Sequence, residues 1–171
     1  MEHTRQFGFT QKRYANSGVI TEEMLRVAED EGLEPQFIRQ EVAAGRMVIP
    51  ANVNHKNLHP IGIGISARCK VNANIGSSPV STDKEIELKK LEAAIKYGAD
   101  TVMDLSTGGD LNRIREEMIE KSTVPVGTVP VYQLAEEFED IWDIKEQDFL
   151  DIVELQAKQG VDFMTIHAGI L

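Results

Sequence analysis

Beyond residue 66 the sequence alternates between short strand-like runs and amphipathic helical stretches. That alternation restricts the fold more than any other feature. Val71, Ala73 and Ile75 alternate with Asn72 and Asn74, the period of a strand within residues 68–75. Gly76-Ser77-Ser78-Pro79 ends it. A helix is expected over about 82–97, opened by a capping box from Thr82 to Glu85. Leu88, Leu91 and Ile95 form its buried stripe, and Gly98 is its C′ residue. The next strand, Thr101 to Ser106, runs into Thr107-Gly108-Gly109-Asp110, where Asp110 caps a helix bearing Leu111, Ile114 and Met118. A third strand is expected from Val124 to Pro130. Residues 131–142 read as a short helix with Leu134, Phe138 and Ile141. A longer helix covers about 146–159, with Phe149, Ile152 and Val153 inward and Gly160 after it. The last strand runs from Asp162 to His167.

Strands separated by helices make a parallel sheet, so the fold class is α/β. Two architectures remain open: a doubly wound sheet, or part of a (β/α)8 TIM-type barrel. Polar residues recur at the strand ends, namely Asn74, Ser106, Tyr132 and His167. They favour the barrel, whose sites are built at that end. A whole barrel takes roughly 250 residues, and the chain has 171. The expected organisation is a small N-terminal α+β region over 1–66, then half a barrel over 67–171. Four strands cannot close at the normal tilt. Open sheet edges are expected, and with them a homo-oligomer or a complementary C-terminal half.

In the N-terminal region, residues 1–18 read as a polar arm. Thr21 caps a helix carrying Met24, Leu25 and Ala28, ended by Gly32. Pro35 opens a second helix with Phe37, Ile38 and Val42, and Gly45 stops it. Met47 to Pro50 is a short apolar strand, and Asn52 to Pro60 a loop rich in Asn and His.

Composition narrows the function. Hydrophobic residues make up 42% and charged residues 27% of the chain, the balance of a globular protein. A net charge of −10 argues against a nucleic-acid partner. No apolar run approaches the ~20 residues of a membrane span, and the residues from Met1 to Gln6 carry no signal-peptide core. The single cysteine, Cys69, excludes an intramolecular disulfide and a Cys-only metal site within one chain. These features fit a cytoplasmic protein. An acidic chain still binds phosphorylated small molecules where helix starts present backbone N–H groups.

Several residues invite a chemical reading beside a structural one. Asn72 and Asn74 either satisfy the following turn or face a ligand at the strand's end. Ser106-Thr107-Gly108-Gly109-Asp110 is an anion cradle or an ordinary βα loop with a cap. His55 and His59 are four apart but lie in a loop, so the metal-ligand spacing is read as coincidence. His167 ends a strand, where it serves either as an acid, base or phosphate donor or as a hydrogen-bonded structural residue. Tyr132 presents its phenol or packs, and Met103 by itself reads as core.

In sequence order, five stretches carry a resemblance: Ile49 to His55, Lys70 to Gly76, Gly98 to Gly108, Pro125 to Tyr132 and Gln159 to Gly169. Together they are similar to the phosphomethylpyrimidine synthase family, over nearly the whole chain beyond its first residues. The resemblance implies a (β/α)8 barrel behind a small N-terminal domain. It implies a radical S-adenosylmethionine lyase of thiamin biosynthesis. That reaction converts 5-aminoimidazole ribonucleotide into hydroxymethylpyrimidine phosphate. The family's substrate contacts fall on Asn74, Met103, Tyr132 and His167, spaced 29, 29 and 35 residues apart. The family's further substrate segments, its zinc-binding histidines and its [4Fe–4S] cysteine motif have no counterpart here. The expectation is therefore an N-terminal portion that holds none of these cofactors alone, is inactive alone and carries no assigned catalytic residue. A non-catalytic ribonucleotide-binding or assembly module is the alternative.

Overall fold

The computed structural model describes residues 10–78 and 84–168. The described residues divide into two compact units, one of residues 10–51 and 60–70, the other of residues 52–59, 71–78 and 84–168.

The first unit contains α1 (Gln11–Asn16), α2 (Glu22–Glu31), α3 (Pro35–Ala43), β1 (Met47–Val48) and β2 (Ile63–Gly64). α1 falls within the stretch expected as an arm. Its start is a side-chain cap, Thr10 accepting from the Arg13 N–H, and its polar residues carry no apolar period that would reveal it. α2 starts at Thr21, which accepts from the Met24 N–H, and ends at Gly32. Its buried face is Met24, Val27 and Ala28; Leu25 is half exposed, contrary to expectation. α3 has Pro35 in its first turn and buries Ile38 and Val42. These residues join Ala15, Met47 and Ile49 in one apolar cluster. β1 and β2 pair antiparallel, Met47 with Gly64 and Val48 with Ile63. Two polar ties close the unit. Glu31 accepts from Lys70 Nζ and from the Arg68 N–H, each at 2.7 Å. Glu41 pairs with Arg46 and accepts from Ser66 Oγ.

The second unit runs β3 (Asn72–Ile75), α4 (Lys84–Lys96), β4 (Thr101–Asp104), α5 (Leu111–Lys121), β5 (Val126–Thr128), α6 (Pro130–Glu137), α7 (Glu146–Gln159) and β6 (Phe163–Met164). The strands are all parallel and lie in the order β3-β4-β5-β6. A doubly wound sheet reverses its strand order at a switch point. The four strands here do not reverse. With right-handed crossovers, sequential order puts every helix on the same face of the sheet.

Register separates the two faces, because successive strand residues point to opposite sides. Ala73, Ile75 and Val102 pack with Leu88 and Leu91 of α4 and with Ile114 and Met118 of α5. Val126 packs with Ile119 and Val161. The other face carries Asn72, Asn74, Thr101, Met103, Gly127 and Phe163 by the same register.

Several expected elements change in extent: β3 begins only at Asn72, and β4 ends at Asp104 rather than Ser106. β5 spans Val126–Thr128 rather than 124–130, because prolines lie at 125 and 130 and proline brings no N–H to a ladder. Pro130 instead opens α6. The helix expected over 131–142 ends at Glu137. A 3-10 turn at Ile141–Asp143 follows, capped by Asp140. Ile141 is 61% exposed and so is not on a buried stripe. β6 is only Phe163–Met164, although the N–H groups of Asp162 and Thr165 on either side of it still donate to Val126 O and Thr128 O, each at 2.9 Å. Thr82 and Asp83 of the expected capping box lie outside the described residues.

The Asn-rich loop is a capping device. Asn52 Nδ2 donates to the carbonyls of Ala157 and Val161 at 2.7 and 2.8 Å. Asn54 Nδ2 donates to Lys158 O at 2.9 Å, and Asn57 Nδ2 to Glu120 O at 2.6 Å. The last-turn carbonyls of an α-helix have no i+4 N–H to accept from, and Ala157 O has the Gly160 N–H besides Asn52. Side chains of residues 52–57 supply donors there for α7 and α5.

Candidate substrate-binding site

Asn74 and Met103 are register partners on β3 and β4. Gly127 is the register partner of Met103, and Phe163 that of Gly127. The ring of Phe163 occupies the space over Gly127, where a Cβ would fall 2.2 Å from a ring carbon. Met103 is half-buried rather than enclosed in a core. Thr165 Oγ1 approaches its sulfur at 4.0 Å, which ties β4 to the end of β6.

Tyr132 lies in the first turn of α6, and its N–H donates to Val129 O at 3.0 Å. His167 lies just past β6. Their rings stack, with centroids 6.2 Å apart and planes 29° from parallel. The structure thus groups the four sequence-derived residues as two pairs, Asn74 with Met103 and Tyr132 with His167. All four sit on or just beyond the C-terminal halves of their strands. Chemically they offer a carboxamide, a thioether, a phenol and an imidazole, which bind a polar organic ligand without fixed charge. A cleft of about 290 Å³ lies at the first of them, lined by Asn74, Ile75, Gly76, Lys90 and Leu105. The Lys90 ammonium there donates to Gly76 O at 3.1 Å and to Glu87 Oε1 at 2.6 Å.

The loops behind Asn74 are stitched together. Ser77 N–H donates to Ser106 Oγ at 3.0 Å, Thr107 N–H to Ser77 O at 2.9 Å, and Ser77 Oγ to Gly108 O at 2.6 Å. Both the Ser106 hydroxyl and its N–H donate to Asp104 Oδ1. Asp110 caps α5 by accepting from the Arg113 N–H. The Ser106 and Thr107 amides are therefore spent inside the fold. Gly76 makes this stitch possible. Its φ is +156°, and a Cβ would meet the Leu105 carbonyl carbon at 2.6 Å. Gly76→Ala is expected to lose about 1–3 kcal/mol, read as a lower urea midpoint. An unchanged midpoint would show that the two loops separate without cost.

Sequence reasoning passed over a second group of polar residues, on the helix-facing side of the sheet. Asp104, Arg115, Gln133 and Gln156 are all buried. Burial pushes the Asp104 carboxyl above its ordinary value, against the Ser106 hydrogen bonds and the Arg115 charge that favour ionisation. Burial likewise pulls the Arg115 guanidinium below its ordinary value. The signal for these residues was present. Arg115 is four beyond Leu111 and three before Met118, so it falls on the apolar stripe of its helix.

His55 was read as a loop histidine, and it is a buried hub. Its Nδ1 lies 2.7 Å from Asp162 Oδ2 and its Nε2 lies 2.9 Å from Ser122 O. Asp162 also accepts from the N–H groups of Asn52 and Val126, each at 2.8 Å.

With that geometry in place, comparison with known proteins adds one finding. Over residues 10–171 the sequence matches the Radical SAM ThiC family. The match takes in nearly the whole chain, and the chain belongs to that family, whose radical S-adenosylmethionine enzymes serve thiamin pyrimidine biosynthesis. A [4Fe–4S] cluster is held by several Cys thiolates. The sequence has one cysteine, the exposed Cys69. The described residues contain no group of three or more His, Cys, Asp or Glu placed to hold a metal ion. Cys69 supplies one of the several thiolates that such a cluster draws on. No helix among the described residues is long and apolar enough to cross a membrane.

Proposed function

We propose that this chain forms one side of the ribonucleotide pocket of a phosphomethylpyrimidine synthase. That lyase rearranges 5-aminoimidazole ribonucleotide into hydroxymethylpyrimidine phosphate. Asn74, Met103, Tyr132 and His167 are its substrate contacts. The four parallel strands are the first four of a (β/α)8 barrel in the cytoplasm. The [4Fe–4S] cluster, S-adenosylmethionine and zinc are held by residues outside these 171, and the chain does not turn over alone. The observation that carries this reading is the arrangement of the four residues: two in register on neighbouring strands, two stacked beyond the next pair, all toward the same end of the sheet.

Titration of the chain with 5-aminoimidazole ribonucleotide, followed by calorimetry, tests the contacts. Asn74→Ala is expected to weaken binding about three- to tenfold, the value of one neutral hydrogen bond, with an unchanged unfolding midpoint. Equal affinity for Asn74→Ala and wild type would remove Asn74 from the pocket.

The partner is a complementary C-terminal half or a second copy. Among the described strands β3 and β6 each pair on one side only, and open edges seek partners. Sedimentation over a range of concentrations is expected to show association. A strictly monomeric species would count against it.

A further inference from the structure

Three polar side chains on the ligand-facing side of the sheet form a chain of hydrogen bonds behind Asn74. The Thr101 hydroxyl donates to Asn72 Oδ1 at 2.8 Å, and Asn72 Nδ2 donates to Asn74 Oδ1 at 2.8 Å. Asn72 and Thr101 are register partners on β3 and β4, one step before the Asn74 and Met103 pair. Thr101 is 4% exposed, whereas Asn72 and Asn74 are exposed. The relay thus starts at a fixed, buried hydroxyl and ends at the site.

A carboxamide on an exposed strand has no steric preference between its two flipped forms, since its oxygen and NH₂ are nearly the same size. Left alone, Asn74 would offer a ligand either an acceptor or a donor, and would lose entropy in choosing. The relay biases that choice in the direction the Thr101 hydroxyl takes, which is to donate. With the Asn72 oxygen engaged by Thr101, the Asn72 NH₂ turns to Asn74 and engages its oxygen. One lone pair of Asn74 Oδ1 is then taken, and its NH₂ is the group with both hydrogens left for a ligand.

We propose that Asn72 and Thr101 are positioning residues that hold the Asn74 carboxamide with its NH₂ toward the ligand, so that the ribonucleotide atom met there is a hydrogen-bond acceptor. This rests on the assignment of Asn74 to the pocket. It gives Asn72 a reason to stand in a strand that its residue type disfavours, and it makes the second Asn of this strand legible only through the first.

Side-chain amide NMR of the chain tests the relay without any ligand. The Asn72 side-chain N–H that faces Asn74 is expected to exchange slowly with solvent, and both Asn74 side-chain N–H groups fast. Thr101→Val should abolish the Asn72 protection, and Thr101→Ser should restore it. Protection of Asn74 in place of Asn72 would mean that the relay runs the other way, and would overturn the proposal. Asn72→Ala, at an exposed position, is the second variant should Thr101→Val disturb the fold.

Titration with 5-aminoimidazole ribonucleotide then tests positioning. Thr101→Val and Asn72→Ala are each expected to weaken binding about three- to tenfold, with Thr101→Ser close to wild type. Weakening by Asn74→Ala but not by Thr101→Val or Asn72→Ala would overturn the positioning role and leave the pocket standing. Wild-type affinity in Asn74→Ala would remove the pocket assignment instead, while the exchange data still decide the relay.

Discussion

Asp162→Ala is expected to destabilise the second unit by about 3–5 kcal/mol, the range for removing one partner of a buried charge pair. The magnitude follows from what the carboxylate holds. The side chains of Asp162 and His55 are fully buried. One carboxylate serves the N–H of Asn52, the N–H of Val126 and the imidazole of His55. Its removal leaves three donors without an acceptor, at about 1–3 kcal/mol for each that finds no water. The charge state is set by the neighbours. Both ring nitrogens of His55 face oxygens that only accept, a carboxylate and the Ser122 carbonyl. The site therefore favours the doubly protonated imidazolium, in which each ring N–H has an acceptor. Burial alone would lower its pKa, but the hydrogen bond and charge of Asp162, with the Ser122 carbonyl, raise it above the ordinary 6.5.

The pH dependence follows in sign. A histidine whose folded pKa is raised contributes stability that is full below the unfolded value of about 6.5. That contribution is lost as pH rises through the folded value. Urea midpoints of the wild-type chain should fall across this window, and His55→Gln should remove that part of the slope. A slope that persists in His55→Gln would assign the titration to another group, and a wild-type midpoint in Asp162→Ala would refute the hub.

His55 also shows why part of this protein was hidden in its sequence. Its partners Ser122 and Asp162 lie 67 and 107 residues away. No local pattern signals a loop side chain that will be buried by contacts so distant. The same holds for Asn52, Asn54 and Asn57, which read as loop residues and act as helix caps for elements far downstream. What was legible is what local physics decides. Thr21, Pro35 and Asp110 start their helices because capping and proline geometry need only a few neighbouring residues. The parallel sheet followed from alternation alone. Its sequential strand order did not, since an order is a tertiary fact.

Asn74, Tyr132 and His167 stand out as candidates by their place at strand ends and by family resemblance, Met103 by resemblance alone, and the grouping of the four in space is not legible in the sequence. Tyr132 was expected after a strand running to Pro130. The strand stops at Thr128, and Pro130 begins a helix that turns Tyr132 toward His167. Proline is compatible with both a strand end and the first turn of a helix, so Pro130 alone does not tell which of the two carries Tyr132.

Arg115→Ala is expected to cost about 3–5 kcal/mol as well, and its variants separate charge from packing. Arg115 is 3% exposed. Its Nη2 donates to Gln133 Oε1 at 2.7 Å, and its Nη1 to Gln159 Oε1 at 2.6 Å and Asn112 Oδ1 at 3.1 Å. Gln133 in turn accepts from Gln156, whose own oxygen accepts from Thr128 Oγ1. One guanidinium therefore fastens α5 to α6 and α7, and through Gln156 to β5. The network is incomplete, since Arg115 Nε has no partner among the described residues, and an apolar side chain of similar length forgoes less than a full set of bonds would suggest. Arg115→Met should accordingly lose less than Arg115→Ala. The remaining loss in Arg115→Met has an electrostatic part, because Asp104 keeps its buried carboxylate and loses the cation that favours it. Asp104→Asn preserves an acceptor for the Ser106 N–H and hydroxyl while removing the charge. It should recover part of the loss in the Arg115→Met background, with a coupling of about 0.5–3 kcal/mol in a double-mutant cycle. The pH response runs opposite to that of a salt-bridged carboxylate. With its folded pKa raised, Asp104 costs stability as pH rises from its unfolded value of about 3.9 through the folded one, and no more beyond. Losing Arg115 extends that range upward. Urea midpoints of the four chains at pH 4 to 8 read both effects. Zero coupling would place the whole cost in the amide network and leave Asp104 independent of Arg115.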